Sequence, residues 1–253
     1  MSIAEDVKTI ESDKSDAFGQ ELIAYLLHKE RVEIVERDDG YIDLSKILPY
    51  YFSGYGQWIP IERRAIGLAR GRVLDIGCGA GRVCLYLQKK GLAVTGIDIS
   101  PKAIEVCKKR GVKKALLLPI ERIGRFKRDS FDAIVMFGNN FGLFGNSKKA
   151  KALLKQMHRI TSRDAVILAG TRDPYKTRDP GHLAYHELNR KRGRMAGQLR
   201  IRIRYKQYVG RWVDYLFVSK EEMRGILLGT GWKVREFFGE RDPLYVAVIE
   251  KKS

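Results

Sequence analysis

An α/β sandwich, with helices on both faces of a mostly parallel sheet, is predicted by three adjoining features. The β-branched, largely apolar run Val73-Leu74-Asp75-Ile76 enters the glycine-rich turn Gly77-Cys78-Gly79-Ala80-Gly81. A segment with Val83, Leu85 and Leu87 at helical spacing follows the turn. A second apolar strand over residues 92–97 ends in Asp98, about twenty residues beyond the turn. Glycines let a ligand approach the backbone closely, and a carboxylate at this spacing accepts hydrogen bonds from ribose hydroxyls. The three together predict a nucleoside-binding half of a doubly wound sheet.

Glycine spacing separates the ligand classes that use such a site. A dinucleotide fingerprint needs a third glycine three positions after the second, where the helix packs on the strand, and here that position is Arg82. The glycines are Gly77, Gly79 and Gly81, preceded by Asp75. This form resembles motif I of the class I S-adenosylmethionine (SAM)-dependent methyltransferases, and Asp98 in Gly96-Ile97-Asp98-Ile99-Ser100-Pro101 matches the acid which that family carries at the end of its second strand. The resemblance implies SAM as cofactor and Asp75, Gly77, Cys78, Gly79, Gly81, Asp98 and Ile99 as cofactor-binding residues. A sulfonium ligand has no phosphate to cradle, and nearby carboxylates favour its positive charge. A nucleotide site, or a turn with no ligand, is the alternative.

The resemblance covers residues 72–170 and returns at the C-terminus. Residues 131–137 and 165–170 look like two further strands, with a helix between them carrying Leu153, Leu154, Met157 and Ile160. Residues 220–228 then read as the last helix, and 232–238 and 244–249 as the last two strands. The implied fold is the Rossmann-like seven-stranded methyltransferase sandwich with an antiparallel final strand. Residues 114–119 lack the acid often found near the adenine amine in that family, which leaves adenine contacts to the backbone near Leu117 and Leu118.

A length of 253 residues suits one decorated catalytic domain, residues 61–253, with an N-terminal extension and lid at 1–60 and an insertion at about 171–218. No apolar run approaches membrane-spanning length, and residues 1–20 are polar and acidic, unlike a signal peptide, so a cytoplasmic protein without a membrane partner is expected. Cys78, Cys84 and Cys107 have no paired metal spacing and are odd in number, so neither a structural metal nor a disulfide framework is expected. Nothing points to an obligate protein partner.

The formal net charge of +18 exceeds what solubility requires and attracts polyanions. RNA is the expected partner. Arg190, Lys191, Arg192, Arg194, Arg200, Arg202, Arg204 and Lys206 fall in one section without an acid. Within it Arg200-Ile201-Arg202-Ile203-Arg204-Tyr205 alternates strictly, which as a strand puts three guanidinium groups on one face, roughly 6.6 Å apart, a spacing comparable to phosphates along an extended strand. Arg200, Arg202 and Arg204 are thus candidates for binding an RNA backbone. The alternative is a solvated hairpin face with residues 208–218.

In the extension, residues 18–28 read as an amphipathic helix, and 32–35 with 41–44 as a hairpin across Asp39-Gly40. The aromatic segment Tyr50-Tyr51-Phe52-Ser53-Gly54-Tyr55-Gly56-Gln57-Trp58 suits a lid over cofactor or acceptor, or packing at the sheet edge.

Chemistry is expected beyond the strand at 131–137, because doubly wound sheets bind ligands outside the carboxyl ends of their strands. Asn139, Asn140 and Phe141 stand there as candidate catalytic residues. By analogy with amino-methyltransferases of adenine or cytosine, either asparagine accepts hydrogens of an exocyclic amine and Phe141 stacks on the base, although both prolines of that motif are absent. Hydrogen bonds within the loop or to the methionine carboxylate are the alternative. Tyr175 and His186 are candidate substrate-binding residues of the insertion, His186 as base or phosphate contact. His182 and His186 share a helical spacing, but with no third ligand they do not make a metal site. The expected activity is methylation of RNA, ribosomal RNA above all, at an exocyclic nitrogen such as cytidine N4; the basic chain with Gly-Asn-Asn-Phe in this place also resembles archaeal ribosomal RNA cytidine N4-methyltransferases. A small-molecule or protein acceptor with an incidental basic surface is the runner-up, and a SAM-fold binding protein without catalysis the third reading.

Overall fold

A computed structural model describes residues 15–29, 32–239 and 242–252. Most of the first twenty residues, which were read as unlike a signal peptide, lie outside the described residues. In chain order the first elements are α1 (Ala17–His28), β1 (Glu33–Arg37), β2 (Ile42–Ser45), α2 (Leu48–Tyr51), α3 (Pro60–Ile66), β3 (Arg72–Ile76), α4 (Arg82–Lys89), β4 (Ala93–Asp98) and α5 (Pro101–Lys109). Then come β5 (Ala115–Leu117), β6 (Phe131–Met136), α6 (Ser147–Ile160), β7 (Thr161–Arg172), α7 (Pro180–Lys191) and β8 (Gln198–Tyr205). The last elements are β9 (Tyr208–Val209), β10 (Val213–Leu216), α8 (Lys220–Leu227), β11 (Trp232–Phe238) and β12 (Leu244–Lys251).

The large sheet is seven-stranded and mixed, in the order β11-β12-β7-β6-β3-β4-β5. β3 pairs parallel with β4, β4 with β5, and β6 with β7, while β12 is antiparallel to both β7 and β11. This is the Rossmann-like methyltransferase sandwich that the sequence predicts, with its antiparallel last strand. Ala133, Ile134, Val135 and Met136 of β6 are fully buried, as a strand covered on both faces requires.

Two compact units divide the described chain. One comprises the described residues within 1–58, 72–123 and 201–212; the other comprises those within 59–71, 124–200 and 213–253. In the first, β3, β4 and β5 carry the glycine turn at their C-terminal ends. Beside them β1 pairs antiparallel with β2 and with β8, and β9 closes on β8. The insertion strand is therefore partnered by the N-terminal hairpin, with Ile34 opposite Arg204 and Val35 opposite Ile203, a pairing absent from the sequence reading. The predicted partner segment at 208–218 is two short strands, β9 and β10. Helix α1 packs through Leu22 on Leu48, Ala80, Ala103 and Val106.

In the second unit α6 buries Ala150, Leu153, Leu154, Met157 and Ile160, a stripe at helical spacing. Each of the four larger side chains contributes about 1.5–3 kcal/mol relative to leaving it in water. Asn146 caps the helix by accepting from the Lys149 N–H at 2.9 Å. Helix α8 begins in a reciprocal box in which Ser219 and Glu222 each accept from the other's backbone N–H.

Candidate functional site

The glycine turn of the first unit is held from both sides. Gly77 and Cys78 donate their N–H groups to the Ile97 carbonyl at 2.9 and 3.0 Å, which fixes the turn to the end of β4. Gly81 has φ +80°, and an added Cβ there would lie 2.6 Å from Val112 Cγ2, so both conformation and space demand glycine. At Gly79, with φ +51°, the nearest neighbour of an added Cβ is the Phe18 ring at 3.7 Å, so this side of the backbone is open apart from one aromatic edge.

Asp98 is buried at the end of β4. Its Oδ2 accepts from the Gly79 N–H at 2.9 Å and its Oδ1 from the Ser100 N–H at 3.0 Å. Burial raises its pKa, against these backbone N–H groups, which lower it. A carboxylate offers about four lone-pair directions, and with the Ile99 N–H also acting on it, acceptor capacity is left for a ribose hydroxyl. Asp75 has a different role. Its Oδ2 accepts from Cys84 Sγ at 3.2 Å, and burial pushes its pKa up to about 7. It anchors the first turn of α4 beneath the glycine loop. The Cys78 side chain turns inward, 3.8 Å from Cys107 Sγ, so at this position only backbone is offered to a cofactor.

Ile99 is half-buried just beyond Asp98. Leu117 lies opposite Asp98 in register and exposes 37% of its surface, an open apolar side chain at the end of β5. The Leu118 N–H donates to the Asp98 carbonyl at 2.9 Å, so its backbone donor is already used. An open glycine, a buried carboxylate with spare lone pairs and an exposed apolar strand end fit SAM: Asp98 would hold the ribose hydroxyls, Gly77 and Gly79 would admit the methionine moiety, and Ile99 and Leu117 would flank the adenine.

Sequence reasoning missed several supports of this turn. The Arg82 guanidinium, at the start of α4, lies 4.4 Å from the Tyr50 ring centroid and 4.7 Å from that of Trp58. Tyr55 stacks on Tyr86 at 4.6 Å, so the aromatic segment is packed against α4. Arg110 donates to the carbonyls of Ala80 and Phe52. Asp16 caps α1 through the Gly19 N–H at 2.9 Å and also accepts from Ser100 Oγ at 2.8 Å and the Lys102 N–H at 3.0 Å. The only signal for Asp16 in the sequence is an acid placed before an apolar helix.

The second unit holds the loop after β6. Gly138 and Asn139 both have positive φ, +67° each, and for Asn139 this is a costly left-handed conformation. Two contacts hold it: Gly138 N–H donates to Glu62 Oε1 at 3.1 Å, and Tyr215 Oη donates to the Asn139 carbonyl at 2.7 Å. Asn139 and Asn140 are half-buried. Phe141 is fully buried and meets Phe144 edge to face at 4.9 Å. It is a core side chain and cannot stack on an acceptor base, which corrects its predicted catalytic role. His186 is also buried, with its ring centroid 6.1 Å from that of Tyr175. Tyr175 is exposed at 49% and donates to Glu222 Oε1 at 2.7 Å.

The arginine strand is divided. Arg200, in the second unit, is exposed. Arg202 and Arg204, in the first, both donate to the Glu36 carboxylate, Arg202 through Nε at 2.7 Å and a terminal nitrogen at 3.0 Å. Arg202 also covers the Trp212 ring at 4.3 Å. These hydrogen bonds, from Arg202 first, hold the Glu36 carboxyl down to about 2.

Residues 74–169 match the methyltransferase domain family. A SAM-dependent methyltransferase of Bacteroides fragilis, solved with S-adenosylhomocysteine, superposes with a TM-score of 0.82 at 26% identity, covering 96% of this chain and 98% of that one. A SAM-dependent methyltransferase of Methanosarcina mazei shares the fold, with a TM-score of 0.61 at 20% identity over 77% of this chain and 98% of its own. Among curated relatives, the ubiquinone biosynthesis O-methyltransferase of Pasteurella multocida is 36% identical over 63 residues, 25% of this chain and 26% of that protein. The chain spans half or less of the length of the curated relatives it matches, 44% of a Geobacillus protein and 50% of one from Bacillus subtilis. Fold, site and comparisons place a methyltransferase domain at residues 74–169, in a chain with the fold of SAM-dependent methyltransferases. Its cofactor is S-adenosylmethionine.

Proposed function

We propose that the chain methylates RNA at an exocyclic base nitrogen, with cytidine N4 of ribosomal RNA as the specific acceptor. The observation that supports this reading is the net charge of +18, with Lys191, Arg192, Arg200, Lys206 and Arg211 all exposed. SAM supplies an activated methyl group on a sulfonium sulfur. The protein's part is alignment of the acceptor with that methyl, and an exocyclic amine conjugated to its ring needs help to act as a nucleophile. Asn139 or Asn140, accepting the amine hydrogens, localises the nitrogen lone pair; the proton leaves to solvent after transfer. With Phe141 buried, stacking falls to an exposed ring such as Tyr175, and the acceptor base must be unpaired or flipped out.

A small-molecule acceptor is the second reading, favoured by the closure of Arg202 and Arg204 on Glu36. Incubation with methyl-labelled SAM and either unmodified ribosomal RNA or a small-molecule cell extract separates the two. Label in one methylated nucleoside after RNA digestion is the expected result. Label confined to the small-molecule fraction overturns the RNA reading.

A further inference from the structure

Glu21 stands on the buried face of α1 with no exposed surface, and among the described residues no donor reaches either of its carboxyl oxygens. The group it meets is another buried acid, Glu33 of β1, whose Oε1 accepts from Tyr51 Oη at 3.1 Å. Two carboxyl groups in contact away from water do not both ionise, so the pair holds a proton. Burial raises the pKa of Glu21, and the charge of Glu33 adds to the rise. For Glu33 burial again raises it, Asp43 of β2 adds to that, and the bonds from Glu21 and Tyr51 oppose it.

Among the described residues, the nearby cations have acidic partners outside the pair. Arg37 of β1 is engaged by Asp39, Arg202 and Arg204 of β8 by Glu36, and Lys102 of α5 by Glu105. Asp16, five residues before Glu21, is used by Ser100 and the Lys102 N–H. Beyond Glu21, α1 itself carries the titratable groups Tyr25 and His28.

The same helix covers the cofactor turn. Phe18, one turn before Glu21, borders the open side of Gly79 and meets the Tyr51 ring edge-on at 5.6 Å; Leu22 packs with Ala80. We propose that the Glu21–Glu33 pair is a proton-held latch: sharing a proton, it keeps α1 down on the turn at residues 77–81, and loss of that proton frees the helix and weakens cofactor binding.

This inference rests on the cofactor assignment. Cofactor binding is then linked to one proton, and affinity falls with rising pH by up to about tenfold per pH unit on the limb where that proton leaves. The Glu21 proton is held up to about 11, so the test is calorimetry of S-adenosylhomocysteine from pH 6 to pH 12, with amide hydrogen exchange of α1 and β3 in the same series. In the unaltered protein the affinity is expected to fall along this limb while α1 loses protection and β3 keeps it. In Glu21→Gln the new amide donates to the Glu33 carboxylate at every pH, so affinity at pH 6 is unchanged and the alkaline fall disappears. A variant with the same pH slope as the unaltered protein, or no slope in either, overturns the latch. If Glu21→Gln does not fold, Glu33→Gln and the exchange pattern of the unaltered protein make the same decision. Titration of Asp75 is common to all the proteins and cancels in the comparison. Absence of binding at pH 6 in the unaltered protein would instead count against the cofactor site.

Discussion

Asp75 sits beneath the glycine turn with its carboxyl pushed up to about 7 by burial. A raised carboxyl contributes stability that is fully present below its unfolded value, near 4, and is lost as pH rises through the folded value. Between about pH 4 and pH 7 this group alone removes up to about 1.4 kcal/mol per pH unit. Asp75→Asn keeps an acceptor for Cys84 and removes the titration. Urea unfolding of the two proteins across this range is expected to show a steeper decline in the unaltered chain, and parallel curves would contradict the assignment. At Gly81, alanine brings both a left-handed residue and contact with Val112, and is expected to cost about 2–4 kcal/mol. A midpoint in urea equal to that of the unaltered protein would mean that the turn relaxes.

Among the elements, α1 shows how one side chain fixes a helix. Asp16 accepts three hydrogen bonds, one from its own helix and two from the start of α5. Asp16→Ala is expected to lower stability by about 1–2 kcal/mol, the range for a lost helix cap. A change within about 0.5 kcal/mol would class these bonds with ordinary surface contacts. The elements themselves were legible in the sequence because their periods are local: β11 matches its predicted residues 232–238, α8 differs by one terminal residue, and α6 buries the four residues predicted for its face. The pairing of β8 with β1 was not legible, since it joins residues about 170 positions apart with no shared pattern. The same limit explains the site. Glycines, Asp98 and the strand end at Leu117 lie along one local motif and could be read directly. Phe141 could not be placed, because burial at the end of β6 depends on Phe144 and the loop geometry; nor could the closure of Arg202 and Arg204, which needs Glu36 from a distant strand.

For the whole molecule, the excess of positive charge is the property that bears on the acceptor. If RNA binds, each phosphate contact on a single strand contributes about 0.7 to the slope of log affinity against log salt. Arg200→Gln is expected to flatten that slope by about 0.7 without changing sequence preference. Arg202→Gln has a separate cost, because it weakens the bonds to Glu36 that join β8 to β1. An unchanged slope in Arg200→Gln would remove that residue from the acceptor surface. The claim on which acceptor, latch and mechanism all depend is that the turn at residues 77–81 and Asp98 bind the cofactor. Calorimetry of S-adenosylhomocysteine with the unaltered chain and with Asp98→Ala tests it most directly. The account predicts a single site in the former and a loss of about 1.5–3 kcal/mol in the latter, the scale of hydrogen bonds to a charged group; equal affinity in the two proteins, or no binding to either, would contradict it.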